Sequence, residues 1–284
     1  MLKCSPYKEN GINENMNILK RYISLPNRKY DYCIVSDCPE LIRTLELLYA
    51  GFLKYEAVQK YMELQIYQIG NEEYQVSFNG KTDVQNDPIR FVKNILFENP
   101  YFDESILALH GAAIGTGEMA SLFLGRTCAG KTTLTAYLVN KGFKYITEDC
   151  ILINYADKLV NPCPLPLHLR DGGKDVLLKN NIAPEYRYIN FSSIKRYTFM
   201  PQNVETRPTP IGAIYFITRD ENRNRVCSLK TEDAFIRLIK SPITWYPLRT
   251  PYIQAFKKIS SLPCYQLEYS SFSFVEEIMN LHYT

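Results

Sequence analysis

The chain has 284 residues, of which 46% are hydrophobic, so it can bury a full core in one large domain or two small ones. Its formal net charge of +3 is too small to indicate nucleic acid or an anionic membrane as the main partner, and we expect neither. The basic run at 219–225 is interrupted by acidic and turn residues, which is typical of a solvated loop.

The eight cysteines include no C-x-x-C pair and no cysteine–histidine cluster with zinc-binding spacing, so we expect reduced and mostly buried thiols. Residues 1–15 are polar and lack the apolar core of a secretory signal. No apolar run in the sequence approaches the roughly 18 residues of a membrane span. These features predict a cytoplasmic protein.

Residues 1–100 predict a small α+β domain, to which we assign recognition of an acceptor. The polar residues up to 28 predict a loosely packed lead-in. The periodicity of apolar residues then alternates between that of strands and that of helices. The predicted elements are a strand over 30–36, a helix over 39–53, a hairpin of strands over 62–69 and 73–78, and a helix over 88–97.

Residues 101–284 predict a second domain with a different pattern. An apolar strand over 106–114 leads through Gly115-Thr116-Gly117 into a strand over 119–124, which is a hairpin signal. The elements predicted after it are a helix over 132–141, strands over 143–146, 150–154 and 158–160, a helix over 174–180, a hairpin of strands over 211–218 and 226–230, helices over 232–239 and 251–259, and a last strand over 263–269.

The stretch 125–133 matches G-x-x-x-x-G-K-[ST], the pattern of a phosphate-binding loop, and lies between a predicted strand and a predicted helix. The glycines of such a loop let the backbone turn tightly and present its N–H groups to phosphate oxygens. Lys131 would reach the β- and γ-phosphates, and the Thr132 hydroxyl would ligate Mg²⁺. The predicted nucleotide-binding residues are Gly125, Arg126, Thr127, Cys128, Ala129, Gly130, Lys131, Thr132 and Thr133.

A phosphate-binding loop occurs in motors, switches, transporter ATPases and kinases, so other segments must distinguish these classes. An ABC-type ATPase would carry Leu-Ser-Gly-Gly-Gln and a long apolar strand ending in Asp-Glu downstream of the loop, and the sequence has neither. It also lacks the Asn-Lys-x-Asp segment of a GTPase. These absences favour a phosphotransferase.

Three further side chains are candidates for the chemistry. Glu148 and Asp149 come at the start of the strand predicted over 150–154, which could lie beside the strand that precedes the loop. One carboxylate would then complete the oxygen shell of Mg²⁺ and the other would accept a hydroxyl proton, unless the pair only caps a surface strand. His110 could orient the base or share its proton, although a lone histidine in an apolar strand is more often a satisfied core residue.

His110-Gly111, the loop and Glu148-Asp149 resemble, in order and spacing, the catalytic domain of HPr kinase/phosphorylase, bacterial enzymes that phosphorylate a serine of the carrier protein HPr. The resemblance covers about 105–180, with weaker similarity to 230. It implies an α/β fold with a P-loop kinase core of the HPr kinase / phosphoenolpyruvate carboxykinase type and a smaller N-terminal α+β domain. In that family two aspartates serve as general base and metal ligand, with the histidine beside the base. The resemblance does not decide whether Glu148 or Asp149 is the base.

The chain departs from that family at three places. Glu148 stands where the family has aspartate, and the loop reads Arg-Thr-Cys-Ala-Gly-Lys-Thr-Thr where the carrier kinases look more like Ser-Gly-x-Gly-Lys-Ser. The downstream Leu-Glu-x-Arg-Gly-x-Gly segment is missing, and its nearest counterpart is 167–173, with His168 at the glutamate place. These departures argue against HPr as the substrate and against a reversible phosphorylase.

The whole chain instead resembles the HPr-kinase-related proteins of peptide natural-product pathways, including lasso peptide kinases that phosphorylate a C-terminal serine of a precursor peptide. Carrier kinases of this type form hexamers, so the resemblance also implies a homo-oligomer, although the sequence shows no interface signal. Arg170 is a further candidate for a phosphate contact, because a guanidinium fork suits that geometry.

The sequence thus predicts a kinase that uses ATP or GTP with Mg²⁺ to phosphorylate a serine hydroxyl of a small protein or peptide. Lys131 and the loop amides would hold the nucleotide, and Thr132 and Glu148 would hold the Mg²⁺. Asp149 would take the hydroxyl proton, with His110 beside it. The alternatives are a kinase of a small hydroxyl compound and a nucleotide-binding regulatory ATPase without an acceptor.

Overall fold

A six-stranded sheet forms the N-terminal part of the computed structural model, which describes residues 18–56, 60–97, 105–192, 194–241 and 250–281. Its elements are β1 (Leu19–Ile23), β2 (Asp31–Ser36), α1 (Pro39–Leu48), a short 3-10 helix (Ala50–Phe52), β3 (Leu53–Lys54), β4 (Tyr61–Gly70), β5 (Glu73–Phe78), β6 (Lys81–Gln85) and α2 (Pro88–Phe97). The strand order is β3-β1-β2-β4-β5-β6, and only the β2–β4 pair among these described strands is parallel. That pair requires a crossover connection, which α1 supplies.

Helices α1 and α2 each bury one face against this sheet and its surroundings. The first turn of α1 contains Pro39, whose fixed φ suits a helix start and whose missing N–H has no helical partner there. The buried hydrophobic residues of both helices recur at the spacing of a single helical face. They are Leu41, Ile42, Leu45 and Leu48 in α1, and Ile89, Val92, Ile95, Leu96 and Phe97 in α2.

The rest of the described chain forms a nine-stranded sheet, a three-stranded sheet and five more helices. The elements are β7 (Ile106–Leu109), β8 (Gly111–Thr116), β9 (Met119–Leu124), α3 (Lys131–Asn140), β10 (Lys144–Glu148), β11 (Ile151–Asn154), β12 (Leu159–Asn161), β13 (Leu167–Leu169), α4 (Asp171–Lys179), β14 (Arg187–Phe191), β15 (Ile194–Phe199), β16 (Thr209–Arg219), β17 (Arg225–Ser228), α5 (Thr231–Ile239), α6 (Thr250–Ser260), β18 (Cys264–Tyr269) and α7 (Phe272–Leu281). The large sheet has the order β10-β8-β9-β16-β12-β11-β7, with β18 beside β16 and β17 beside β18. The small sheet has the order β13-β15-β14. The chain is therefore a mixed α/β protein, as the sequence predicted.

The nine-stranded sheet is buried on both faces. Leu122 and Ile214 belong to the hydrophobic cluster that includes residues of α5 and α6, whereas their chain neighbours Phe123 and Tyr215 belong to the cluster that includes α3 and α7. This division follows from strand geometry, since consecutive side chains point to opposite faces. β9 and β16 lie side by side in the middle of this sheet and are parallel. The loop that follows β9 therefore starts from an interior strand of the sheet.

A third cluster contains residues from both sides of the domain boundary that the sequence predicted. Ile34 and Ile89 of the N-terminal part share it with Ile106 of β7 and Leu152 of β11, and all four are at most 3% exposed. The helix α2 thus packs in a core that it shares with the nine-stranded sheet. The division into domains at residues 1–100 and 101–284 stays a prediction.

The predicted hairpin of 211–218 and 226–230 is wrong. β17 pairs with β18 in antiparallel fashion, and β18 lies between β17 and β16, with which it is parallel. The charged connection at 219–225 has the length of a hairpin loop, but a strand from near the end of the chain inserts between its two arms. Local spacing cannot reveal such an insertion, because the pairing partner is distant in sequence.

Other elements were not predicted from the sequence. The lead-in prediction for 1–28 is wrong where β1 pairs with β2 and β3, and residues 1–17 lie outside the described ranges. The strands β3, β6, β13, β14 and β15 and the helix α7 were also missed, and the helix predicted over 39–53 ends at Leu48. Within the described ranges, no helix is both long enough and apolar enough to traverse a bilayer. None of the seven described cysteines is in a disulfide, and five of them are buried, whereas Cys4 lies outside these ranges.

Candidate functional site

The loop between β9 and α3 has the strand–loop–helix arrangement that the sequence motif requires. β9 ends at Leu124, and α3 begins at Lys131 after Gly130 as its N-cap. The N–H of Leu134 donates to the Gly130 carbonyl at 2.8 Å, which closes the first turn of α3. The N–H groups before Leu134 have no partner one turn back and carry the positive end of the helix dipole.

Two glycines of this loop are required by space and by backbone conformation. A Cβ at Gly125 would lie 2.8 Å from the Ile217 carbonyl oxygen, because the loop passes close to β16. Gly130 has φ +87°, and a Cβ there would lie 2.5 Å from the Tyr269 hydroxyl. That hydroxyl donates to the Ala129 carbonyl at 3.1 Å. Tyr269, the last residue of β18, thus contacts the loop directly.

Lys131 lies inside the curve of the loop and is only 7% exposed. Its Nζ donates to the carbonyl oxygens of Gly125 and Arg126, at 2.8 and 3.1 Å. Burial lowers the pKa of Lys131, while the negative charges of Asp149 and Glu148 oppose that shift. A partly desolvated ammonium at a helix N-terminus is an environment that favours an anionic ligand.

Glu148 is the last residue of β10 and is 3% exposed. Its Oε1 accepts a short hydrogen bond from the Thr132 hydroxyl. Burial, and then the charge of Asp149, raise the pKa of Glu148 to about 8, although Thr132, Lys93 and Lys131 act in the opposite direction. Glu148 is thus a buried carboxyl next to the first turn of α3 that is mainly protonated near pH 7.

Asp149 occupies the turn between β10 and β11 with φ +66°, a left-handed conformation that aspartate tolerates better than most residues. Its Oδ2 accepts a hydrogen bond and ion pair from Lys93 Nζ at 2.6 Å. Burial raises the pKa of Asp149, but the charge and hydrogen bond of Lys93 outweigh burial and lower it to about 2. Two consecutive carboxyls thus have opposite pKa shifts, since one has a cationic partner and the other does not.

The sequence suggested that the strand after Glu148 and Asp149 lies beside β9, the strand that precedes the loop. The structure shows a different arrangement. The strand after the two carboxyls, β11, pairs with β12 and β7 and does not lie beside β9. β8 lies between β10 and β9, with β10 and β9 both antiparallel to it. Glu148 therefore reaches Thr132 from the end of β10, two strands away from the strand that leads into the loop.

His110 connects β7 to β8 and lies beside Asp149. Its Nδ1 is 3.2 Å from the Asp149 carbonyl oxygen and 4.0 Å from Asp149 Oδ1. Its backbone N–H donates to the Ser241 carbonyl at 2.8 Å. Burial lowers the pKa of His110, which favours the neutral ring, and the tautomer with its proton on Nδ1 can donate to the Asp149 carbonyl. The histidine thus contacts the backbone of Asp149 more closely than its carboxylate.

A cavity of about 600 Å³, which we call the first cavity, brings most of the predicted residues together. Those that line it are His110, Thr127, Cys128, Gly130, Lys131, Thr132, Thr133, Glu148 and Asp149. The remaining loop residues line a second cavity of about 960 Å³ on the other side of the loop. They are Gly125, Arg126 and Ala129, and the two cavities share His110, Thr127, Cys128 and Arg219.

Sequence reasoning missed Lys93, which comes from the N-terminal part of the chain. Ile89, Lys93 and Phe97 lie one helical turn apart on the face of α2 that lines the first cavity. A lysine on the apolar stripe of an amphipathic helix is unusual, and this was the signal available in the sequence. The ion pair with Asp149 explains the placement.

Two other residues of the first cavity come from β13 and β15. Burial lowers the pKa of His168 to about 4, and its Nδ1 is a buried atom without a hydrogen-bond partner in the part of the chain that is described. Arg196 lines the same cavity, as does Arg170, whose Nη1 is 3.8 Å from Cys128 Sγ. Together with Lys93 and Lys131, these side chains give the cavity more basic than acidic groups.

The oxygen atoms of Thr132 and Glu148 are suitable for a hard divalent cation whose other ligands are substrate oxygens and water. The Thr132 hydroxyl and the Glu148 carboxyl are adjacent oxygen donors, and a cation beside them would favour the ionised form of Glu148, whose pKa burial raises. The described residues contain no cluster of three or more His, Cys, Asp or Glu side chains able to form a complete metal cage. Mg²⁺ commonly binds through one or two protein ligands together with phosphates and water, and Thr132 and Glu148 provide two oxygen donors of that kind.

No protein-family model matches the sequence, and no curated protein matches it. Among solved structures, the HPr(Ser) kinase/phosphatase from Coxiella burnetii is similar at 9% sequence identity, with 62% of this chain and 95% of that chain covered and a TM-score of 0.32. A likeness at that score carries no argument for a shared fold or activity. The resemblance to the HPr kinase family stays a prediction, and the fold is known at the level of a mixed α/β protein.

Proposed function

We propose that this protein is a kinase that uses a nucleoside triphosphate and Mg²⁺ to phosphorylate a hydroxyl group. One observation carries the proposal. Lys131 and Thr132, at the start of a helix after a glycine-rich loop, line the same cavity as the consecutive carboxylates Glu148 and Asp149. Phosphoryl transfer needs this combination, because a cationic cradle must hold the phosphates and a carboxylate must face the attacking hydroxyl.

The loop would bind the phosphates through its N–H groups, the N-terminus of α3 and the Lys131 ammonium. Lys131 would exchange its hydrogen bonds to the Gly125 and Arg126 carbonyls for bonds to phosphate oxygens. Thr132 and Glu148 would hold Mg²⁺, which supplies charge neutralisation for the β- and γ-phosphates when bound. Glu148 would then be ionised, since the cation offsets the burial that raises its pKa.

Asp149 would orient the attacking hydroxyl and accept its proton as the bond to phosphorus forms, since a carboxylate with a pKa of about 2 is too weak a base to remove that proton beforehand. The hydroxyl oxygen forms a bond to the γ-phosphorus, the bond from that phosphorus to the β–γ bridging oxygen breaks, and the nucleoside diphosphate leaves. Lys93 Nζ holds Oδ2 of Asp149, which leaves Oδ1 for the incoming proton. His110 would hold the backbone of Asp149 in place through a hydrogen bond to the Asp149 carbonyl oxygen. Positioning of this kind contributes much of the rate in phosphoryl transfer.

The acceptor is proposed to be a serine of a peptide or small protein, of the kind modified in lasso peptide pathways. Support for this comes from the resemblance of the loop, His110 and the acidic pair to HPr-kinase-related proteins. A kinase of a small hydroxyl compound and a regulatory ATPase remain the competing proposals, and ATP and GTP are both candidate donors.

Purified protein incubated with γ-labelled ATP and Mg²⁺, with and without a serine-containing precursor peptide, tests the proposal. We expect label in the peptide, in amounts that depend on Mg²⁺. Free serine and a sugar serve as parallel acceptors, because label in either would favour the small-molecule kinase. Label found only as free phosphate would contradict a kinase and favour an ATPase.

Replacement of Lys93 tests whether its ion pair positions Asp149. We expect Lys93→Met to lower kcat roughly 10- to 100-fold, since Asp149 loses the contact that fixes Oδ2, with little change in KM for ATP. Lys93→Arg should recover part of the activity, because it restores a cation. Steady-state kinetics measure both values, and an unchanged kcat in Lys93→Met would remove Lys93 from the mechanism.

A further inference from the structure

The second cavity is lined by Gly125, Arg126 and Ala129 of the loop and by His110, which contacts Asp149. This inference rests on the proposed function, in which the phosphates lie in the first cavity with Lys131, Thr132 and the acidic pair. A hydroxyl that attacks the γ-phosphorus must come from the side opposite the leaving group. The second cavity offers a separate approach, since it meets the first at His110, Thr127 and Arg219.

Basic side chains dominate the second cavity. Arg126, Arg219, Arg237 and Lys240 line it, all four are exposed, and none forms a salt bridge with a described residue. The carboxyl side chain on its wall is Glu268. Four cations against one carboxyl group give this cavity a positive potential, which attracts acidic ligands.

Part of this basic surface is held in a fixed orientation. Arg237 donates a short hydrogen bond to Gln266 Oε1 and lies over the Phe216 ring at 5.5 Å. Gln266 in turn donates to the Thr218 hydroxyl at 3.1 Å. A guanidinium that is already ordered loses less entropy when it pairs with a carboxylate.

We propose that the second cavity binds an acidic segment of the acceptor peptide and presents its serine to Asp149 past His110. The four cations on its wall, Arg126, Arg219, Arg237 and Lys240, favour an acidic ligand, and the cavity of about 960 Å³ has room for a short peptide segment. Glu268 Oε2 is a buried atom without a hydrogen-bond partner in the described ranges, and a peptide N–H could supply one. The competing ligand is the nucleoside part of ATP.

Transfer from γ-labelled ATP into three peptide pools tests this proposal. Each peptide carries one serine, flanked by acidic, neutral or basic residues. For the wild-type protein we expect the highest kcat/KM with the acidic pool and a decline as salt concentration rises. The double variant Arg237→Glu/Lys240→Glu should lower kcat/KM for the acidic pool about tenfold or more and raise it for the basic pool. KM for ATP should not change.

The matched control is Lys230→Glu combined with Lys179→Glu, which changes the net charge equally at exposed positions that do not line the second cavity. If this control variant also lost its preference for the acidic peptide pool, the proposal would be overturned, because the net charge of the protein would then explain the preference. Equal labelling of all pools by the wild type would also overturn it, although the kinase itself would stand. A raised KM for ATP in the double variant would assign the cavity to the nucleotide. ATP hydrolysis without label in any pool or in a small hydroxyl compound would end both this inference and the proposed function.

Discussion

Asp149→Asn is expected to reduce phosphoryl transfer by about 10²- to 10⁴-fold, the range for loss of a general base. The amide cannot accept the hydroxyl proton, whereas asparagine also tolerates the left-handed backbone that Asp149 adopts with φ +66°. The loop, Lys131 and Thr132 are left intact, so ATP binding should remain. Single-turnover transfer and calorimetric ATP binding measure the two effects separately.

Asp157→Asn is the control for this variant, because Asp157 is an exposed turn residue that does not line either cavity. We expect it to transfer at the wild-type rate. Normal transfer by Asp149→Asn would move the role of base to Glu148, the alternative that the sequence left open. Loss of ATP binding in Asp149→Asn would instead show that the carboxylate acts on the nucleotide.

Lys131→Met is expected to lower transfer by about 10²- to 10³-fold, as for other donors that stabilise charge in a transition state. Its Nζ is the ammonium that the loop encloses, so affinity for ATP should fall as well. The variant should fold, because burial already disfavours the charged form of Lys131 and methionine fills a similar volume. Kinetics, ATP binding and thermal unfolding together give the result.

Lys141→Met provides a comparison at the other end of the same helix, where the ammonium lies over the Tyr137 ring and outside both cavities. It removes the same charge at the C-cap of α3, and we expect wild-type transfer. If Lys131→Met bound ATP and transferred phosphate normally, the loop would not be a phosphate-binding loop in this protein.

The part of the site that depends on consecutive residues was accessible from the sequence. The loop, its flanking elements β9 and α3, and the candidates His110, Glu148 and Asp149 could be named because motif and periodicity are local properties. The structure places those three side chains and Lys131 on one cavity. Their roles stay predictions, since proximity alone does not show a reaction.

The missing parts depend on contacts between distant segments. Lys93 precedes Asp149 by more than 50 residues, and only the packing of α2 beside β7 and β11 brings the two together. The insertion of β18 between β16 and β17 is of the same kind. His168 was noticed only as a departure from a family pattern, and its half-buried position on β13 requires the three-stranded sheet. Periodicity in one segment carries no information about such partners.

Helix α2 connects the six-stranded sheet to Asp149. Ile89 and Val92 hold the helix in the shared core, while Lys93 of the same helix holds Asp149. If the proposed site binds a ligand that prefers one position of α2, a ligand of the N-terminal part that prefers the same position would strengthen that binding, and the first ligand would strengthen the binding of the second by the same factor.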